Sequence, residues 1–201
     1  MQPMPADLFQ KPTIELAKAL LGCLLIKETD EGTASGYIVE TEAYLGAEDR
    51  AAHSFNNRRT KRTEIMFGEA GSVYTHQMHT HTLVNVVSGP NGTPQSVLIR
   101  AVEPHTGLDL MHQRRGIENI KNLTNGPGKL TKALGITMED YGHSFLKPPL
   151  FIALGKTPTD ISIGPRIGIE NTEEAKDYPL RFYITDNPFV SRMRKTKASK
   201  K

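Results

Sequence analysis

Apolar positions along the chain switch between two periods. Ile14, Leu16, Ala17, Leu20 and Leu21 recur at helical spacing behind Pro12, which is tolerated in a first turn, and Gly22 stands where a helix can stop. Residues 12–22 are therefore predicted as a helix. Strand-like runs follow at 23–27 and 36–45, joined across Asp30-Glu31-Gly32 as a hairpin. Residues 47–71 are polar and read as a long loop holding at most one helical turn. Runs rich in β-branched or aromatic residues at 72–81, 83–88 and 96–103 read as strands, with Gly89-Pro90-Asn91-Gly92 as the turn before the last. Helical spacing returns at 106–116, with Thr106 as cap, and at 127–134, closed by Gly135. The C-terminal third returns to β at 150–154, 167–170 and 180–184.

A chain of 201 residues with this mixed pattern and no internal repeat predicts one α+β domain over residues 1–192. No apolar stretch approaches the ~18 residues of a membrane span, so a membrane partner is not expected. The N-terminus lacks a basic segment followed by an apolar one, so no secretory leader is expected. One cysteine, Cys23, excludes an intrachain disulfide and a thiolate-rich zinc site, and points to a reducing cytoplasm. The net charge of +3 is misleading, because six of 25 basic residues lie within 192–201 with no acid among them. The body, with 19 basic and 22 acidic residues, is mildly acidic. Residues 193–201 read as a core-free basic tail that can favour polyanions.

Three segments carry candidate chemistry. In Ile38-Val39-Glu40-Thr41-Glu42-Ala43-Tyr44, strand alternation puts Glu40, Glu42 and Tyr44 on one face and Val39, Thr41 and Ala43 on the other. Two carboxylates are costly to bury, so their face is expected to line a cleft rather than the core. His53 and the basic run Arg58-Arg59-Thr60-Lys61-Arg62 follow, a set that suits a flat, electron-poor ring beside a phosphate backbone. Second, His76, His79 and His81 invite a metal, but neither strand nor helix spacing puts all three on one face, and the nearest acid, Glu69, is distant. Third, Asn125-Gly126-Pro127-Gly128-Lys129 opens a helix, where free amides beside Lys129 suit a phosphate; Leu130 after the lysine rules out a Walker loop.

Taken in order, Val39-Glu40-Thr41-Glu42-Ala43-Tyr44-Leu45-Gly46, the Tyr44-to-His53 spacing, Val97-Leu98-Ile99-Arg100-Ala101-Val102-Glu103-Pro104, Asn125-Gly126-Pro127-Gly128-Lys129-Leu130, Pro165-Arg166-Ile167-Gly168-Ile169 and Pro179-Leu180-Arg181-Phe182-Tyr183 resemble the alkyladenine (3-methyladenine) DNA glycosylase family from about residue 8 to residue 192. The resemblance implies a single α/β domain around a curved, mainly antiparallel sheet or open barrel with peripheral helices. It also implies a monofunctional hydrolase that flips alkylated or deaminated purines out of damaged double-stranded DNA and cuts their N-glycosidic bond, as a monomer and with no catalytic metal, cofactor or lysine Schiff base. Glu42 would be the base that activates water, with Arg100 and the backbone around Ile167 holding that water. Tyr44 and His53 would sandwich the flipped base, and Asn85 would clash with the amine of normal guanine. Arg58, Arg59 and Lys129 are expected to meet DNA phosphates.

The departure from the family lies at residues 74–81, one residue shorter than its usual tyrosine-rich run. His76 stands where a base-stacking tyrosine is usual, and His79 at the tyrosine that wedges into the duplex. Two rivals stay open on the residues alone. A non-catalytic DNA-binding module would use the basic segments, and a metal-dependent hydrolase would use His76, His79 and His81.

Overall fold

A computed structural model of the chain describes residues 4–191; the expected basic tail at 193–201 lies outside the described residues. The elements are α1 (Thr13–Ala19), β1 (Leu24–Thr29), β2 (Gly32–Tyr44), β3 (Val73–Met78), β4 (His81–Ser88), β5 (Gln95–Thr106), α2 (Leu108–Arg115), α3 (Pro127–Leu134), β6 (Leu150–Ala153), β7 (Ile161–Gly164) and β8 (Arg181–Ile184). The eight strands form one sheet in the order β3-β4-β5-β2-β1-β6, with β8 joining β2 and β7 joining β8. Every pairing is antiparallel. The sheet curls into a half-barrel with helices packed on one face, a mixed α/β single domain.

The curl originates in the 13-residue β2. Its first half pairs with β1 at 32–37 and its second half with β8 at 40–42, while β5 runs along the other edge of both. Register shifts fall around Ile38, Glu40 and Thr41. Such bulges bend a strand and raise its twist, which splays β1 and β8 apart.

One face of the sheet carries Thr41, Ala43, Val84, Val86, Val97 and Ile99 against Leu16, Ala17, Leu20, Leu130 and Leu134 of the helices, all essentially out of solvent. The Thr41 hydroxyl donates to the Ala17 carbonyl at 2.8 Å, so even the polar member of this face is satisfied by α1.

The hairpin of β1 and β2, the helix at 127–134 and the strands at 150 and 180 lie where periodicity predicts them. Elsewhere the boundaries move. The loop at 47–71 holds three 3-10 turns, at Gly46–Glu48, Phe55–Asn57 and Glu64–Phe67, rather than one. The strand expected at 72–81 ends at Met78, and a two-residue turn at His79-Thr80 starts β4 two residues early. His79 takes φ +54 there, a conformation whose usual signature is Gly, Asn or Asp, so the turn left no mark in the sequence. The expected cap Thr106 is the last residue of β5, and α2 starts behind Gly107 in the left-handed region. Residues 167–170 are not a strand; β7 precedes them, and Ile167 and Gly168 form a bend with Gly168 at φ +81.

Candidate active site

The side of the sheet away from the helices carries one cross-strand row. Arg181 pairs with Glu42, Glu42 with Leu98, Leu98 with Asn85, and Asn85 with Tyr74. Directly opposed residues project to the same face, so Glu42 and Asn85 share it about 10 Å apart. Tyr44, two residues on from Glu42, and His76, two on from Tyr74, belong to that face by alternation. The Glu40, Glu42 and Tyr44 face expected from the sequence is therefore present, but it does not line an open cleft at the carboxylates. Glu40 and Glu42 are wholly buried.

Burial of two carboxylates demands partners, and each has them. Glu40 Oε1 accepts from Arg100 Nε at 3.1 Å, Arg181 Nη1 at 3.0 Å and Ser191 Oγ at 2.8 Å, and Oε2 accepts from the Ser191 amide at 2.7 Å. Glu42 Oε1 accepts from the Ile167 amide at 2.8 Å. Its Oε2 accepts from the Tyr44 hydroxyl at 2.9 Å and lies 3.2 Å from Arg100 Nη1. Among the described residues, Glu40 meets two guanidiniums and both Ser191 donors, whereas Glu42 meets one guanidinium, the Ile167 amide and the Tyr44 hydroxyl. Burial works against the Arg100 charge, but Glu42 and Glu40 outweigh it and hold the guanidinium firmly protonated. Burial and then the Glu42 charge push the Tyr44 phenol well above its ordinary value, so it remains a donor.

The backbone that supplies the Ile167 amide is fixed by its neighbour. Arg166 donates from Nη2 to Asp49 Oδ1 at 2.8 Å, from Nη1 to the Ala43 carbonyl at 3.0 Å and from Nη2 to the Ala175 carbonyl at 3.1 Å, with its guanidinium 4.7 Å from the Tyr44 ring centre. Asp49 in turn accepts from the Leu45 and Ala51 amides, both at 3.0 Å, which folds the loop after β2. Sequence reasoning missed Asp49, Arg166, Arg181 and Ser191. Arg166 and Arg181 stand in the family-like motifs, and that is the signal that could have found them; Asp49 and Ser191 carry none.

The other end of the row is aromatic and neutral. His53, on the loop after β2, shares a 2.7 Å hydrogen bond between Nδ1 and the Tyr74 hydroxyl. Its ring meets His76 edge-on at 4.6 Å, and His76 stacks on Tyr74 at 5.3 Å. Asn85 Nδ2 donates to the Tyr74 carbonyl at 3.1 Å and lies 3.2 Å from His76 Nδ1. Burial, with nearby Arg62 and Arg58, lowers the His53 pKa to about 4; burial, with His53 and Arg62, lowers that of His76 to about 3. Both imidazoles are neutral at pH 7.

His79 stands at the exposed tip of the β3–β4 hairpin. His81, on the next strand, packs against α3 so closely that a Cβ on Gly128 would come within 2.7 Å of its own Cβ. The three histidines of the 76–81 segment are thus split between a buried wall and an exposed tip. Among the described residues no three His, Cys, Asp or Glu side chains converge as a metal site. Arg58 is exposed; Arg59 pairs with Glu64 at 2.6 Å and lies over Phe67; Lys129 donates to Asn125 Oδ1 at 2.7 Å.

A family model for methylpurine-DNA glycosylase (MPG) matches residues 7–188. The chain belongs to that family. A Bacillus subtilis protein is 66% identical over 190 residues, covering 94% of this chain and 97% of its own. A Bacillus velezensis protein is 65% identical over 191 residues, covering 95% and 97%, and a Listeria monocytogenes serotype 4a protein is 49% identical over 188, covering 93% and 91%. All three carry the provisional name 3-methyladenine DNA glycosylase. As a methylpurine-DNA glycosylase family member the chain is a hydrolase of DNA N-glycosidic bonds, and its partner is damaged DNA. Among the described residues no helix is long and apolar enough to cross a membrane.

Proposed function

We propose that the chain excises alkylated and deaminated purines from duplex DNA, with 3-methyladenine, 7-methylguanine, hypoxanthine and 1,N6-ethenoadenine as the substrate class, working as a single-domain monomer in the cytoplasm. A stacked base is out of reach, so the damaged nucleotide is flipped, at a cost of a few kcal/mol that a weakened pair reduces. His79 at the hairpin tip fills the gap in the duplex, and the base enters between Tyr44 and His53 with His76 behind. Asn85, tied by its amide to Tyr74 and His76, limits room for the exocyclic amine of guanine.

The observation that carries this reading is the Glu42 carboxylate, held by the Ile167 amide and the Tyr44 hydroxyl on the same sheet face as Tyr74, His76 and Asn85. Water bound there gives its proton to Glu42 while its oxygen forms the new bond to C1′. The C1′–N bond breaks and its electron pair leaves with the purine, neutralising a cationic base, whereas a neutral base needs a proton as it departs. Until the water proton arrives, the ionised Glu42 carboxylate stabilises the positive charge growing on the sugar. Arg100 and the Ile167 amide hold the carboxylate itself, a more direct role than holding water. Glu40, the neighbouring candidate on the same face, is bound by two guanidiniums and by Ser191 and makes no hydrogen bond to Tyr44 among the described residues. Arg58, Arg59 and Lys129 contact phosphates at the rim.

Glu42→Gln keeps the shape and loses the proton acceptor. Single-turnover base release should fall about 1,000-fold while duplex affinity stays within about threefold. Release at more than about a tenth of the wild-type rate would remove Glu42 from the role.

A further inference from the structure

The basic run at 58–62 does not act as one patch. Arg59 faces Glu64 and Phe67. Arg62 turns toward the aromatic wall, where its Nη2 lies 2.6 Å from His53 Nε2 and 2.9 Å from His53 Nδ1, and its Nε donates to the Tyr74 hydroxyl at 3.3 Å. Among the described residues no carboxylate pairs with Arg62. The main chain beneath it is fixed to the same cluster. The carbonyls of Lys61 and Arg62 lie 3.2 and 3.3 Å from the Tyr141 hydroxyl, and the Tyr141 ring meets Tyr74 edge-on. A guanidinium only donates, so the imidazole nitrogen it binds must be an acceptor and the ring neutral. The groups facing His53 are thus Arg62 and Arg58, both cationic, and Tyr74 and His76, both neutral; among the described residues no carboxylate pairs with either cation.

We propose that Arg62 is a specificity-determining residue that biases the base pocket against cationic purines and toward neutral ones. This deepens the base pocket proposed above and rests on it. N-alkylated purines arrive positively charged, whereas hypoxanthine and ethenoadenine are neutral. A base stacked on His53 lies several ångströms from the Arg62 guanidinium, which is exposed but pairs with no carboxylate among the described residues, so a cationic ring is repelled and a neutral ring is not. The wall keeps its stacking surface for both. Lesion charge, rather than ring shape alone, becomes part of what the pocket reads.

The test compares Arg62→Gln, Arg62→Lys and wild type in single-turnover release from duplexes carrying 7-methylguanine or hypoxanthine, separating the maximal rate from the half-saturating enzyme concentration. Lost contacts to DNA phosphates affect both duplexes alike and cancel in their ratio. Arg62→Gln should shift the half-saturation ratio about tenfold in favour of 7-methylguanine, and Arg62→Lys, which keeps the charge, by less than about twofold. An unchanged ratio in Arg62→Gln, or an equal shift in Arg62→Lys, overturns the proposal. A DNA-free measurement stands beside it. The His53 imidazole, titrated by NMR, should move in Arg62→Gln from about 4 toward its ordinary 6.5, and no movement would also overturn it. Glu42→Gln run in parallel separates the failures: excision surviving there denies the site as a whole, while its loss with an unchanged lesion ratio denies Arg62 alone.

Discussion

At the β8 end of the row, Glu40, Glu42, Arg100 and Arg181 lie out of water together, each charge met by an opposite one. At the β3 end, Tyr74, His76 and Asn85 are equally buried, yet every one of them is uncharged, and His53 beside them stays neutral because its proton is driven off. Both ends satisfy the rule that polar groups leave water only with partners. They differ in what remains available. Paired ions form a rigid frame that fixes the Glu42 carboxylate for chemistry. Neutral rings leave π faces that a purine can cover without first breaking an ion pair. The frame makes the reaction, and the wall chooses what reaches it.

If the frame is ionic, removing one charge from it should hurt most. Glu40→Ala strands Arg100 and Arg181 without their shared acceptor, and breaking a buried ion pair from one side costs about 3–5 kcal/mol. Urea unfolding at pH 7 should show that loss, whereas His76→Phe, a neutral exchange at the other end, should stay within about 1 kcal/mol of wild type. Equal losses would end the distinction between the two regions.

The neutral wall has its own signature in pH. Folding depresses the His53 and His76 pKa values below 6.5, so the unfolded chain binds protons that the folded one refuses. Stability from these groups is full above pH 6.5 and is lost as pH falls, down to about 4 for His53 and about 3 for His76. Between pH 7 and 4.5, wild type should lose on the order of 2–3 kcal/mol more than His76→Phe, one pKa unit corresponding to about 1.4 kcal/mol. Parallel urea midpoints in the two proteins across that range would show that His76 is charged, or exposed, in solution.

Much of this division is legible in the sequence. Period-two alternation from Ile38 to Tyr44 placed Glu40, Glu42 and Tyr44 on one face, and Gly126-Pro127 with Gly135 bounded α3, because alternation and helix punctuation are local. What escaped was non-local. Whether a cleft or a salt bridge receives Glu40 depends on Arg181 and Ser191, 141 and 151 residues away, and no local pattern pairs them. Alternation also carries no sign of the bulges that let β8 reach β2. The bend at Ile167 was misread as a strand because its β-branched residues resemble one, although its amide, not its side chain, is what meets Glu42.

Cations at the mouth belong to neither region and should set affinity alone. Arg58 is free of ion pairs among the described residues, while Arg59 is engaged by Glu64 and Phe67 and must leave them to meet a phosphate. Arg58→Ala should therefore flatten the log–log dependence of duplex affinity on salt by about one unit, with a smaller change for Arg59→Ala. Fluorescence anisotropy across a salt series reads both slopes, and a reversed order would place Arg59 against the duplex.

The smallest effect is expected at the hairpin tip, where the wall meets the DNA. His79 holds φ +54 in a two-residue turn, a left-handed conformation that costs a residue with a Cβ about 1–2 kcal/mol and costs glycine little. His79→Gly should thus unfold at a higher urea concentration than wild type, by up to about 1 kcal/mol, while His79→Ala should not. If the ring is the wedge, both variants lack it and should lose the same few-fold share of flipped lesion, read by 2-aminopurine beside the damaged base. Mismatched lesions should suffer less than well-paired ones, because they open with less help. His81→Ala is the control, since His81 lies on β4 beside Gly128 of α3 rather than in the two-residue turn. Flipping retained in His79→Gly would hand the wedge to a neighbour such as Met78, itself exposed on the same tip, and would move the boundary of the neutral wall one residue back along β3.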